Sequence, residues 1–138
     1  MKSFRDFIRY RMEAGRRGFR NLPADEWKIE LSPDGFRLIH RSYRSFLALS
    51  ETTEHILWGQ VERVVAQKTD NFTWDTIWLT FEISSGGSVS VPEEANGWDE
   101  LVDVLPSKLA VPGRADWWPR VAHSAFAANI TQLYPTPI

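Results

Sequence analysis

Residues 58–98 contain three stretches that decide the fold: WGQVERVVAQKTD at 58–70, DTIWLTFEI at 75–83 and VSVPEEANGW at 89–98. In the second, Ile77, Leu79, Phe81 and Ile83 alternate with Trp78, Thr80 and Glu82. That period of two predicts a strand with one face in a core. Gly86-Gly87 supplies the turn into a strand over Ser88 to Val91, which Pro92 ends because proline cannot donate to a ladder. Asn96 offers a helix cap, with Asp99 and Glu100 favourably placed in the first turn. Trp98, Leu101, Val102, Leu105 and Leu109 then form one apolar stripe, which Pro106 is expected to kink or interrupt. Upstream, His55 to Trp58 and Arg63 to Lys68 read as two short strands or one bent strand. Gly59 permits a bulge between them, and a single helical turn at Gly59 to Val61 stays open.

Working toward the amino terminus, Trp27, Ile29 and Leu31 alternate with Lys28 and Glu30. Ser32-Pro33-Asp34-Gly35 then places proline and glycine where a tight turn needs them, and Phe36 to His40 returns as the partner strand. A third strand is expected over Tyr43 to Leu49, with a turn at Ser50 to Glu54. Toward the carboxyl terminus, Asp116 can cap a last helix on which Trp117, Val121, Ser124, Ala125 and Ala128 share a face. The tail from Thr131 to Ile138 reads as extended or frayed.

The first 22 residues differ in kind. Seven basic side chains stand there against Asp6 and Glu13, a balance of +5, while the remainder carries −7. Phe4, Ile8, Met12, Gly15 and Phe19 recur at helical spacing, and arginines including Arg5, Arg9, Arg16 and Arg17 occupy the other faces. This predicts a basic amphipathic helix. It could lie on an anionic membrane surface or dock on the acidic body through its phenylalanines. A nucleic-acid role is disfavoured, because so few cations are gathered in an otherwise acidic chain. The expected organisation is therefore this helix over 1–22 and one α+β domain over 23–138. In that domain a bent antiparallel sheet or partial barrel of about seven short strands is closed by a helix, and a C-terminal helix follows.

At 138 residues the chain is the size of one core. The absence of cysteine excludes disulfides, thiolate catalysis, iron–sulfur clusters and cysteine-based zinc sites. The charged start, without an apolar leader, and the lack of any long apolar run lead to an expected cytoplasmic location.

The set Trp58, Val61, Val64, Thr69-Asp70, Asp75, Trp78, Val91-Pro92-Glu93-Glu94, Gly97 and Leu101 resembles a group of small uncharacterised bacterial proteins. Those share an approximate W-x-x-[LV]-x-x-V, T-D, D-x-x-W, V-P-x-E-x-x-G, L pattern. The order of strands and closing helix is similar to the pleckstrin-homology-like arrangement, which implies a sheet barrel plugged by a helix. The likeness covers roughly residues 55–110 and rests on turn and core positions, so it implies a fold and no activity. Here Asn71-Phe72-Thr73-Trp74 stands where the group carries a Gly-Pro pair.

Chemistry is sparse. Asp70, Asp75, Glu93 and Glu94 fall near strand ends and could converge as an acid and base pair or a hard-cation site. The simpler reading makes the aspartates turn formers and the glutamates helix-start charges, worth about 0.3–1 kcal/mol there. His40, His55 and His123 lack the close spacing of zinc ligands, and neither a nucleophile elbow nor a phosphate loop occurs, so no cofactor is expected. Seven tryptophans are many for this length. Trp74 sits in a polar loop, and Trp117-Trp118 are adjacent, so one of that pair points away from the face the other buries. Trp74 and Trp118 are accordingly the candidate contacts for a partner. The leading expectation is a non-enzymatic module that binds another protein or a second copy of itself. Membrane-surface binding through the first helix and a carboxylate enzyme or small-ligand binder are the alternatives.

Overall fold

Pro33-Asp34 closes a tight hairpin between β1 (Glu26–Ser32) and β2 (Gly35–Ser45), with Ser32 opposite Gly35 and the Ser32 hydroxyl donating to the Gly35 carbonyl at 3.2 Å. The structure is a computed structural model that describes residues 25–45, 48–70, 75–122 and 130–135. The expected helix over 1–22, with Arg5, Arg9, Arg16 and Arg17, lies outside the described residues, and so does Trp74. β2 pairs on its other side with β3 (Ala48–Leu57), giving an antiparallel sheet in the order β1-β2-β3.

Here the structure departs from the sequence reading. The strand expected over 43–49 and the turn over 50–54 are replaced by one hairpin in which Ser45 stands opposite Ala48, and Ser50 to Glu54 lie in the middle of β3. Polarity misled, because Glu51 to His55 are polar through exposure rather than through turning. Threonine is a good strand former, and the segment holds neither glycine nor proline.

The open question at Gly59 resolves as a single 3-10 turn, Trp58–Gln60, between β3 and β4 (Val61–Asp70). The Trp58 N–H donates to the Asp34 carbonyl (2.9 Å) and the Ser84 N–H to the Gln60 carbonyl (2.9 Å), fixing the step from the first sheet to the second. β4 pairs with β5 (Asp75–Ile83) and β5 with β6 (Ser88–Pro92). The tail read as extended or frayed is extended over β7 (Ile130–Tyr134), which pairs with β4 and buries Leu133, so the second sheet runs β6-β5-β4-β7. The α+β class with about seven strands holds. Among the described residues the strands divide between two antiparallel sheets and do not close a barrel.

Two helices are described. α1 (Trp98–Lys108) buries Trp98, Leu101, Val102 and Leu105, the stripe expected from the sequence. Pro106 lies in its last turn, where few following N–H groups depend on a regular ladder, and the helix ends at Lys108. α2 (Arg114–Ala122) buries Trp117 and Val121. The helix cap is not Asn96. Gly97 occupies that position with φ 95°, while the Asn96 main chain accepts from the Ile29 N–H (2.8 Å) and donates to the Trp27 carbonyl (2.9 Å). This parallel clasp covers the outer edge of β1. Glycine is required at 97 twice over, by the left-handed φ and because a Cβ there would lie 2.8 Å from the Ile29 carbonyl oxygen.

One core joins the elements. Phe36 and Leu38 from β2, Ile56 from β3, Val64 and Ala66 from β4, and Ile77, Leu79 and Phe81 from β5 are all buried with the α1 stripe. The rings of Phe36 and Phe81 meet edge to face at 5.0 Å across the two sheets.

Candidate functional site

The inward phase of the second sheet carries apolar side chains until its last rungs, where it turns polar. Val64, Ala66 and Lys68 on β4 stand opposite Phe81, Leu79 and Ile77 on β5, so strand alternation aims Lys68 inward. The Glu93 N–H donates to the Ile77 carbonyl at 2.8 Å, which sets Glu93 on the same rung beyond β6. Both side chains are buried, each residue only 5% exposed. Isolated charges are costly to bury, and the fold supplies partners. The Lys68 ammonium lies 3.5 Å from the Asp75 carboxylate, and the Trp118 indole N–H donates to the Glu93 carboxylate at 2.9 Å.

Of the acidic residues singled out in the sequence, Asp70 and Asp75 are paired in the last rung of the β4–β5 ladder and Glu93 sits two rungs inward, with Glu94 next to it. The structure thus gathers the group at one end of one sheet. Asp75 pairs with Lys68 and Glu93 with Trp118, contacts that orient these groups within the fold. Among the described residues no group of three or more His, Cys, Asp or Glu side chains is placed to hold a metal ion. Trp117 is buried and its neighbour Trp118 is half-buried, held by its bond to Glu93. Lys68 was not singled out beforehand, although its phase with Val64 and Ala66 marks it as inward. On the other face of the same end, the Trp78 indole N–H donates to the Thr69 hydroxyl (3.0 Å), and Trp27 packs edge-on to Trp78 (5.9 Å) while stacking on His40 (3.7 Å).

The Trp118–Glu93 bond is open to a direct test. Trp118→Phe keeps the ring packing and removes a donor from a buried carboxylate, with an expected cost of about 1–3 kcal/mol in urea unfolding. Because Glu93→Gln weakens the same bond, the double variant should cost less than the sum of the two single ones. Strict additivity would show that the bond does not contribute to stability.

A second feature lies in the first sheet. β3 pairs with β2, and among the described residues no strand lies on its other side. Glu51 to His55 are exposed, as are Leu49 at 55% and Leu57 at 46%. The outward face of the sheet is laced with charge: Arg37 bonds Glu30, and Arg41 contacts Glu51 at 2.7 Å and Glu26 at 3.7 Å. On the second sheet Arg63 bonds Glu82, whose hydrogen bond and then charge raise the guanidinium above its ordinary pKa. A long strand edge with its backbone groups turned to solvent is a template for another strand. The sequence reading missed it because it took the middle of β3 for a turn.

Among the described residues no helix is long and apolar enough to cross a membrane. Comparison with family models, curated proteins and solved structures gave no match to this chain.

Proposed function

We propose that this chain is a non-enzymatic binding module whose contact surface is the free edge of β3. The observation that carries the reading is a ten-residue strand, exposed from Glu51 to His55, with a neighbour on one side alone among the described residues. Such an edge offers main-chain hydrogen bonds for affinity and alternate side chains for selectivity, the arrangement by which sheets accept an added strand. The carboxylate end supports the same reading from the other direction: Asp75 and Glu93 are held by Lys68 and Trp118 as parts of the fold. Kinship with the pleckstrin-homology-like arrangement belongs to this proposal, supported by six strands preceding the buried helix α1. So does a cytoplasmic location, supported by a sequence without cysteine.

The test is capture from host lysate on the immobilised full chain, beside a Thr53→Lys variant. Thr53 is exposed, so the substitution should leave the melting temperature within about 2 °C while setting a charge in the middle of the edge. One stoichiometric protein held by the wild type and lost from the variant is the expected result. Equal capture by both would overturn the reading, as would capture by neither together with a monomeric mass at every concentration.

A further inference from the structure

Along β3 the residues of one face read nearly the same in either direction: Leu49, Glu51, Thr53, His55, Leu57. We propose that two copies of the chain pair through this edge, antiparallel and two-fold symmetric about Thr53, joining two three-stranded sheets into one of six strands. The inference rests on the reading of β3 as the contact surface and names its occupant.

Backbone direction comes first. The Trp58 N–H reaches back to the Asp34 carbonyl, on the β2 side. Main-chain groups alternate in direction along an antiparallel strand, so those of Ile56, Glu54, Thr52 and Ser50 turn toward β2. Those of Leu57, His55, Thr53, Glu51 and Leu49 face the free edge. A second β3 centred on Thr53 meets them with groups of the same phase, so each facing pair can exchange two hydrogen bonds.

Side chains select the register. With Thr53 opposite Thr53 of the second copy, Leu49 stands opposite Leu57 and Glu51 opposite His55, twice each by symmetry. The two exposed leucines then cover one another, and an acid faces an imidazole that can donate to it. A centre at Thr52 sets Leu49 against His55. One at Glu54 sets Leu57 against Glu51, and one at Glu51 sets two carboxylates face to face. The charges already on the sheet fit the same register. Arg37 lies between Glu30 and His55, and Arg41 between Glu26 and Glu51. Across the junction the row therefore runs Glu30, Arg37, His55, then Glu51, Arg41 and Glu26 of the second copy. β1 is less suited, because its outward Trp27 carbonyl and Ile29 N–H are already bonded to Asn96.

One strand pair is a small interface, so the dimer is expected to dissociate on dilution in roughly the micromolar range. Sedimentation of the purified full chain from about 1 to 500 μM should show the mass rising from monomer to dimer, and Thr53→Lys should weaken the association at least ~10-fold by opposing two ammonium groups on the axis. Register is read separately with single cysteines, since the chain has none of its own. Across the axis the two residues at 53 have a Cα separation of about 5.5 Å, within disulfide reach. Under mild oxidation Thr53→Cys should form a covalent dimer at least ~10-fold faster than His55→Cys, whose counterparts lie several residues apart. Equal rates for the two cysteines would overturn the proposed pairing. A monomeric mass at every concentration, with lysate capture still lost in Thr53→Lys, would overturn the second copy as occupant while the edge reading stands. A monomeric mass without edge-dependent capture would overturn both.

Discussion

Gly35→Ala is expected to destabilise the fold by more than about 4 kcal/mol, a loss that few single substitutions reach and that is a large share of the stability of a single domain. Gly35 opens β2 directly opposite Leu57. A Cβ at this position would fall 1.8 Å from the Ile56 carbonyl oxygen, 2.8 Å from its carbonyl carbon and 2.9 Å from the Leu57 Cα. All three are backbone atoms of β3, so no rotamer change relieves the overlap. The strands must part at the base of their hairpin, beside fully buried Phe36 and Ile56. Urea unfolding followed by tryptophan fluorescence would measure the loss. Gly59→Ala is the control, since a Cβ there meets nothing within 4 Å, and it is expected to change stability by less than about 1 kcal/mol. A Gly35→Ala protein within about 1 kcal/mol of wild type would mean that the β2–β3 pairing is looser than this spacing implies.

Phe81→Ala is expected to cost about 3–5 kcal/mol. Phe81 is fully buried on β5, and its ring meets that of Phe36 on β2, so the pair links the inner faces of both sheets. Truncation leaves a void that rigid strands on either side fill poorly, and the edge-to-face attraction is lost as well. Leu57→Ala, which removes a half-exposed side chain, should cost less than about 1 kcal/mol by the same assay. Similar losses at the two positions would show that the inter-sheet contact is not where the stability is concentrated.

How far the sequence revealed this architecture depended on whether the information was local. The β1–β2 hairpin was legible because its alternation and its Pro33-Asp34 turn are adjacent. β5 was legible because Ile77, Leu79 and Phe81 bury one face, and the end of β6 because Pro92 announces it. β3 was hidden by its own exposure: with no buried face in its middle, alternation vanishes and only β-propensity is left. β7 is five residues long and gains its place from β4, far off in the chain. At the candidate site, the positions of Asp70, Asp75, Glu93 and Glu94 near strand ends could be read, but the arrival of Trp118 at Glu93 depends on where α2 packs. Asn96 shows the limit most clearly. Its identity fits a helix cap, whereas its main chain pairs with β1 and leaves the cap position to glycine.

That clasp carries a consequence for the protein during its synthesis. β1 and β2 are made early, but the residue that covers the far side of β1 leaves the ribosome only after six strands have been translated. Until then the outer side of β1 lacks its contact with Asn96. A chain stalled or cleaved between β6 and Asn96 keeps β1 to β6 but loses both β7 and the guard, so incomplete products leave exposed the β1 backbone groups that Asn96 bonds in the finished molecule. The last step that shapes the first sheet is thus also the step that covers part of its first edge.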